Sequence, residues 1–593
     1  MKRVLKRPKF LKQEQSNIFE IRLKYTKFIF FIIFFIIFSR LFYLQIINQF
    51  QYVKIGWKTG YSKIKVPAER GKIFDRNGKL LAFDIPSCNL YFDTWMIKYL
   101  QKENPYYLQE FKNYLSEILN IEKKQIEEKM NQSYSLIKRN VSFEEYKKIK
   151  DLKIKGIYYE KGYKRVYPYE SHACHILGYT DIERNGQEGV EYFYNSFLKG
   201  KDGLYLVLKD GLGNLIPSIK KVLIKEEKGQ DIVLTIDSNI QFIVEEEIKK
   251  WDQKFNPKNI SVVVMDPENG EILALANYPN YNPNERDSQI DFSIIRNKCV
   301  TDLFEPGSIF KIVTAASAIE ENLFTPSSVI MCENGKWFVR NHYLHDVHPY
   351  GLLTFAEVVE KSSNIGTVKI AMALGEEKLY QYCKKFYFGE KTGIDLPGET
   401  AGIFRRLEKW SPYSITAIPI GQEVGINSIH SIRAISVFAN GGYLVKPHVI
   451  KEIRGKEPIE IKNYKNEKEV IFSHNTISIM RDILKRVVGP EGTAPSAGIE
   501  GYRIYGKTGT AQKSIGGTYV KGKYVSSFVG FLLSYKKNIA ISVNIDEPSG
   551  AYYGGVVAAP LFRNILIRII NYYQIPPEVD VKIAYENETK RDN

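Results

Sequence analysis

The stretch Arg503–Lys513 reads RIYGKTGTAQK, and its tripeptide KTG recurs at Lys58–Gly60 (GWKTGY) and Lys391–Gly393 (EKTGID). The three copies differ in their surroundings. The first comes after a hydrophobic N-terminal run, before any domain can form a cleft, and it reads as a surface turn. The second runs into IDLPGE, whose Pro397 and Gly398 mark a loop after a helix. Only Lys507–Gly509 sits on a strand-like run that returns, through GGTYVKGKY, into YVSSFVGFLL. On a strand edge the lysine adds positive charge and the threonine hydroxyl can bind a carboxylate. The glycine keeps the edge free of a side chain, so that an amide beyond it can face an oxyanion.

Beyond this hairpin, NIAISVNID supplies a further strand after YVSSFVGFLLS. Far upstream, SVVVMD (Ser261–Asp266), the turn PENG and EILALAN (Glu271–Asn277) form a hairpin pattern. QDIVLTID (Gln230–Asp237) alternates like a strand and SNIQFIVEEEIKKW (Ser238–Trp251) has helical spacing, with Ser238 placed as an N-cap. This order predicts an α+β domain over residues 229–575, its sheet assembled from both extremes of the domain. Before it, residues 48–228 mix short strand-like runs such as Ile73–Phe83 with a Lys/Glu-rich helical stretch near Pro105–Lys150. The charged KKVLIKEEKG (Lys220–Gly229) reads as a linker between the two.

SxxK places a serine and a lysine one helical turn apart, so that the amine can take the hydroxyl proton. It occurs at Ser62, Ser135, Ser196, Ser218, Ser308 and Ser534. Only Ser308 comes after Pro306–Gly307 and opens an apolar helix, IFKIVTAASAIEEN, where backbone amides and the helix dipole favour an oxyanion and a lowered lysine pKa. SxN is equally common, at Ser87, Ser362, Ser473 and Ser542. Ser362 differs by interrupting a helical stretch, TFAEVVEKSSNIGTVKIAMAL, where a kink would expose a hydroxyl and an amide to a cleft. The ordered trio Ser308/Lys311, Ser362/Asn364, Lys507–Thr510 is far more specific than any member.

A chain of 593 residues exceeds one core, and 44% hydrophobic with 25% charged residues excludes disorder as the default for any long section. The net charge of +17 is concentrated partly in residues 1–27, which hold nine Lys or Arg against Glu14 and Glu20. Such a tail suits anionic lipid or nucleic acid equally. The adjoining sequence decides for the membrane: Phe28–Phe38 is an unbroken apolar run and Leu41–Ile47 resumes it, enough helix for one bilayer core. No small-residue cleavage site comes after it, so residues 28–47 read as an uncleaved signal anchor with the basic tail cytoplasmic. Five cysteines (Cys88, Cys174, Cys299, Cys332, Cys383), widely spaced and odd in number, read as small buried hydrophobes.

The trio resembles the signature of penicillin-binding proteins and serine β-lactamases. Longer stretches resemble the class B penicillin-binding proteins: RGKIFDRNG (Arg70–Gly78), RVYPYESHACHILGYTD (Arg165–Asp181) and GQEGVE (Gly186–Glu191) look like that class's pedestal. RNKCVTDLFEPGSIFKI, KTGTAQK, KYVSSFVGF and IDEPSGAYYGGVVAAPLF resemble the division-type branch. The resemblance implies a single transmembrane helix, an elongated dimerisation-type pedestal (48–228), a transpeptidase domain with an antiparallel sheet flanked by helices (229–575), and a C-terminal tail (576–593). It implies a serine-type D-Ala-D-Ala transpeptidase of the inner membrane, catalytic domain outside, cross-linking peptidoglycan stem peptides at the septum. Ser308 would be the nucleophile, Lys311 the base, Ser362 a proton shuttle and Asn364 a holder of the donor peptide's amide. Lys507 and Thr508 would orient the proton relay and the terminal carboxylate, with Gly509 beside them and the amides of Ser308 and Thr510 forming the oxyanion hole. Implied partners are stem peptides, β-lactams, a multi-spanning septal glycosyltransferase and other division proteins. No cofactor and no nucleic acid are implied.

Ile309 and Ile312 depart from the family's threonine and proline, which implies an altered pocket edge with retained catalysis. His342, His345, Asp346 and His348, with Cys332 upstream, have zinc-like spacing, but the division-type proteins commonly carry an Asp-x-His pair here without metal. Competing readings are a sidewall (elongation-type) transpeptidase, a β-lactam hydrolase or receptor on the same domain, and a silent division scaffold.

Overall fold

The structure, a computed structural model, describes residues 10–132, 135–152, 156–209, 215–285, 291–455, 459–460 and 469–578. Residues 1–9 of the basic tail and 579–593 of the C-terminal tail lie outside the described residues. The chain forms two compact units, one comprising the N-terminal part to Pro67 with Asp202–Glu227, the other Ala68–Lys201 with the chain from Lys228 onward.

In the first unit, helix Phe10–Phe42 ends in a widened turn, Tyr43–Ile47. Asn17–Ile47 has a mean hydropathy of 2.3 over its most apolar window, none of it buried. At ~1.5 Å per residue it is long enough to cross a bilayer core. Helix Gln49–Gly60 comes next, so Lys58–Gly60 ends a helix and is not the expected turn. The unit also holds a three-stranded antiparallel sheet, in the order Tyr61–Val66, Gly203–Lys209, Leu215–Ile224. Its last strand covers Lys220–Ile224, which corrects the linker reading. β-Branched Val222 and Ile224 pair with the middle strand, and lysines are ordinary on an edge.

The second unit contains a seven-stranded sheet, Ile459–Glu460, Ile450–Arg454, Asp231–Leu234, Ile73–Phe74, Leu80–Phe92 and Ser135–Val141, with Ile157–Val166 also on Leu80–Phe92. Asp231–Leu234 pairs parallel with Ile73–Phe74 and antiparallel with Ile450–Arg454. The strand expected from QDIVLTID therefore exists, but it joins this sheet and not the one that holds KTG. Helices Thr94–Glu103, Pro105–Leu119, Lys123–Met130 and Phe143–Asp151 enclose a small core around Phe92, Phe111 and Ile137, so strand Ser135–Val141 interrupts the expected helical stretch.

Nearby lies a fully buried ionic knot. Glu191 accepts from Arg70 Nε at 2.6 Å and Arg165 Nε at 2.6 Å, while Asp84 accepts from the Arg70 amide at 2.9 Å and from Arg184 Nη1 at 2.9 Å. The Arg70, Arg165, Glu191 and Asp84 side chains are inaccessible to solvent. Burial alone would raise the Glu191 carboxyl, but the two guanidiniums hold it below its ordinary value.

The second sheet has five antiparallel strands in the order Ile272–Tyr278, Asn259–Met265, Ile539–Asp546, Thr518–Leu533, Arg503–Ile515, joining both extremes of the domain as expected. Side chains alternate between two cores, with Ile260, Val262 and Val264 on one face and Val263 and Met265 on the other. Both faces are apolar because helices cover both. Ser238–Phe255 and Gly554–Tyr573 pack on one, and Ser428–Ala439, His474–Val487 and Lys311–Glu320 belong to the other core. Ser238 is the first residue of its helix, and the N-cap is Asp237, which accepts from the Asn239 amide. All five cysteines are buried and unpaired, as expected.

Candidate active site

Ser308 lies in the tight turn Gly307–Ile309 that leads into helix Lys311–Glu320. Gly307 adopts φ +53°, and a Cβ there would meet the Thr510 carbonyl at 3.2 Å. On the other side, a Cβ on Gly421 would lie 2.2 Å from the Gly307 carbonyl. Two glycines thus let the serine turn press between the KTG strand and the Gly421 loop.

One turn later, Lys311 is fully buried. Its Nζ donates to Ser362 O at 2.6 Å and Asn364 Oδ1 at 2.7 Å, and lies 3.2 Å from Ser362 Oγ. Burial pushes the amine down to about 7, against the opposing pull of Asp346's charge. A neutral amine has two N–H groups and one lone pair, which matches two acceptors and one hydroxyl. Among the described residues the Ser308 hydroxyl has no side-chain hydrogen-bond partner.

Ser362 occupies the expected kink, between helices Phe355–Glu360 and Asn364–Leu374, with φ +61°. A non-glycine residue in that region is uncommon and needs support. Asp346 supplies it, accepting from Ser363 Oγ at 2.6 Å, from the Ile365 amide at 3.1 Å and from the Asn364 amide. It thereby caps the helix that begins with Asn364. Asn364 Nδ2 donates to His345 O at 2.8 Å, which fixes the amide with its oxygen toward Lys311.

Lys507, also fully buried, donates from Nζ to Ser362 Oγ at 2.9 Å. Burial and the charge of Lys311 hold its amine well below the ordinary lysine value. Two like charges around one hydroxyl disfavour double protonation, so one amine of the pair is neutral near pH 7. Ser362 Oγ can accept from one lysine while donating to the other, a ready proton path.

Thr508 Oγ1 lies 2.9 Å from Thr493 Oγ1, and Thr510 Oγ1 accepts from the Gly554 amide at 3.0 Å. Those two contacts tie the strand edge to helix Gly554–Tyr573 and the loop before Arg503. A Cβ on Gly509 would meet Ser527 Oγ at 2.3 Å, Pro306 O at 2.9 Å and Ile309 Cγ1 at 3.0 Å. Gly509→Ala is therefore expected to push the strand from the serine turn and slow acylation of Ser308 by about 10²-fold, the scale of ~1 Å misplacements. Stopped-flow acylation with a chromogenic β-lactam measures it; a rate within threefold of wild type would show that the edge has slack.

The structure thus brings together the trio that the sequence singled out: Ser308, Lys311, Ser362, Asn364, Lys507, Thr508, Gly509 and Thr510. The other KTG copies are elsewhere, Lys391–Gly393 in a loop whose Thr392 and Gly393 amides donate to Glu399 at 2.7 and 3.1 Å. Ile309 and Ile312 are both buried in the core, and Ile309 lies against the KTG strand at Gly509. No group of three metal-ligating side chains converges among the described residues. His342 Nε2 lies 3.4 Å from Thr416 Oγ1, and Asp346 is committed to the helix cap.

Asp346 entered the sequence reading only as part of the histidine cluster, and Thr493, Gly554 and the acidic pair beside the serine did not enter it at all. There, Glu305 accepts from the Glu423 amide at 3.0 Å and from Tyr519 Oη at 3.0 Å. Burial and the Glu423 charge raise its carboxyl. The signal for Glu305 was its place in EPGSIFK, three residues before Ser308.

Residues 260–567 match the penicillin binding protein transpeptidase domain and 65–234 the penicillin-binding protein dimerisation domain. The chain is 35% identical over 548 residues to stage V sporulation protein D of Bacillus subtilis, covering 90% of this chain and 83% of that protein. It is 29% identical over 547 residues to peptidoglycan D,D-transpeptidase FtsI of Escherichia coli, covering 91% and 90%. Penicillin binding protein 3 of Mycobacterium tuberculosis, solved with aztreonam, superposes with a TM-score of 0.67 at 27% identity, over 87% of this chain and 99% of that one.

Proposed function

Because the chain belongs to the class B penicillin-binding proteins and is a peptidoglycan D,D-transpeptidase, we propose that Ser308 is its acylated nucleophile, deprotonated by Lys311 with Ser362 and Lys507 completing the proton path. The carrying observation is the Ser362 hydroxyl, held 3.2 Å from one buried amine and 2.9 Å from the other. Ser308 Oγ attacks the carbonyl of the penultimate D-alanine, the peptide C–N bond breaks, and Ser362 passes a proton to the departing amine. An acceptor amine then takes the acyl group by the reverse route.

The donor's terminal carboxylate docks at Thr508 and Thr510, where its charge returns a proton to Lys507 and leaves Lys311 neutral. Asn364 keeps a second N–H for the donor peptide. The amides of Ser308 and Thr510 face the developing oxyanion, a kind of contact worth ~3 to 4 kcal/mol.

The division into pedestal 48–228 and catalytic domain 229–575 is supported by the two matched spans. With residues 28–47 as its anchor, the catalytic domain works outside the membrane. A separate glycan polymerase of the septum is its working partner. Septal use is supported by likeness to FtsI.

Treated with benzylpenicillin, the protein is expected to carry a penicilloyl mass on the peptide containing Ser308, absent in Ser308→Ala. Rapid release of the hydrolysed drug would instead make it a β-lactamase. Depletion is expected to give filaments; rounded cells would assign it to the sidewall.

A further inference from the structure

The KTG copy that catalysis does not use lines a cavity of its own. Tyr387, Lys391, Thr392, Gly393, Arg433 and Lys446 surround about 540 Å³, with Leu444 and Glu469 completing the wall. That volume is within the range of small-ligand sites.

Arg433, on helix Ser428–Ala439, is buried, with a relative accessibility of 8%. Its Nε donates to Val445 O at 3.0 Å, and its guanidinium stacks 5.2 Å from the Tyr387 ring centre. It has no carboxylate partner within ion-pair distance among the described residues. Two carboxylates act on its charge without pairing with it: Glu399, which takes the Thr392 and Gly393 amides and Thr392 Oγ1, and Glu469, which accepts from Tyr387 Oη at 3.1 Å.

Burial pulls this guanidinium down to about 10, against the opposing pull of Tyr387, Glu399 and Glu469. Lys391 is exposed on the rim and has no ion-pair partner among the described residues. A Cβ on Gly393 would stand 3.7 Å from Lys446 Nζ, so that amine also lies at the loop. Arg433, Lys391 and Lys446 thus bring three cationic side chains to one cavity against two neighbouring carboxylates, Glu399 and Glu469, an excess of positive charge that an anionic ligand would balance.

We propose that this cavity binds an oxyanion-bearing small ligand, a phosphate or a paired carboxylate, with the Arg433 fork and the Lys391 ammonium on its oxygens and the Tyr387 ring and Leu444 against its body. Arg supplies planar bidentate recognition and Lys a point charge, the usual division of labour at phosphate sites. Phosphate and dicarboxylate sources share this chemistry, and separate probes tell them apart.

The test uses full-length protein in detergent at constant ionic strength set with sodium chloride. Thermal midpoints are measured against inorganic phosphate, glycerol 3-phosphate and tricarballylate. The expected result is a saturable rise with at least one probe, weakened about tenfold in apparent affinity by Lys391→Ala, a loss typical of one charged contact. In Lys391→Ala/Arg433→Gln the rise is expected to vanish. Acylation of Ser308 by benzylpenicillin in each variant shows that the domain is folded. A phosphate-only response assigns the organic or inorganic phosphate source, and a tricarballylate response assigns a carboxylate one. No saturable response with any probe, or an undiminished one in the folded double variant, overturns the proposal.

Discussion

Lys311→Ala lowers the second-order rate of Ser308 acylation by benzylpenicillin about 10²- to 10⁴-fold, the contribution of a well-placed general base. The amine it removes is fully buried and pushed down to about 7. In the wild type, acylation therefore rises with pH through about 7 as the amine becomes neutral, and in the variant that limb flattens. Lys311→Arg does not restore the rate, since a guanidinium keeps its proton.

The same group fixes a sign for stability. Between about 7 and the ordinary value of 10.5 the unfolded chain holds a proton that the native amine does not. Unfolded protein then binds more protons, so native stability from this group increases with pH across that window and the penalty is greatest below 7. Rates within tenfold of wild type, or an unmoved pH limb, would remove Lys311 from the base's role.

Glu191→Ala costs about 3 to 5 kcal/mol, because it leaves Arg70 and Arg165 buried without their shared counter-charge. Neither guanidinium can reach water, since both side chains are fully inaccessible. Glu191→Gln loses less, as a neutral amide still accepts one hydrogen bond. Urea titration monitored by tryptophan fluorescence measures the loss. Below the transition, acylation of Ser308 stays within a few fold of wild type, because the knot touches none of the reacting groups. A change under 1 kcal/mol in Glu191→Ala would mean that the knot is open to water.

The five-stranded sheet was legible because its inner strands are apolar on both faces, giving runs such as SVVVMD and NIAISVNID bounded by turn residues. The candidate trio was legible because one helical turn sets SxxK and a left-handed break sets SxN, both local properties. Pairing was not legible: nothing in QDIVLTID says that Ile232 sits beside Ile73 and Ile453. The knot draws Arg70, Arg165 and Glu191 from separate segments, with no periodicity to join them. Asp346 stood out only for its histidine neighbours and received no role, since a cap to a helix that begins at Asn364 leaves no spacing signal. Lys220–Ile224 was misread because charge density outweighed its β-branched residues. Asp237 and Ser238 are both capable caps, and only geometry chose the former.

The strand Ile539–Asp546 is the last of its sheet to be synthesised, yet it stands in the middle, between Asn259–Met265 and Thr518–Leu533. Until it is made, the N-terminal hairpin and the KTG hairpin have no backbone partner in common. Closure of the sheet is therefore a late event of large sequence separation, the kind that slows folding and leaves strand edges open to aggregation. A polypeptide ending between residues 533 and 539 would hold Ser308, Lys311, Ser362 and Lys507 and yet lack the strand that joins the two hairpins. The timing of activity is in this way tied to completion of the chain.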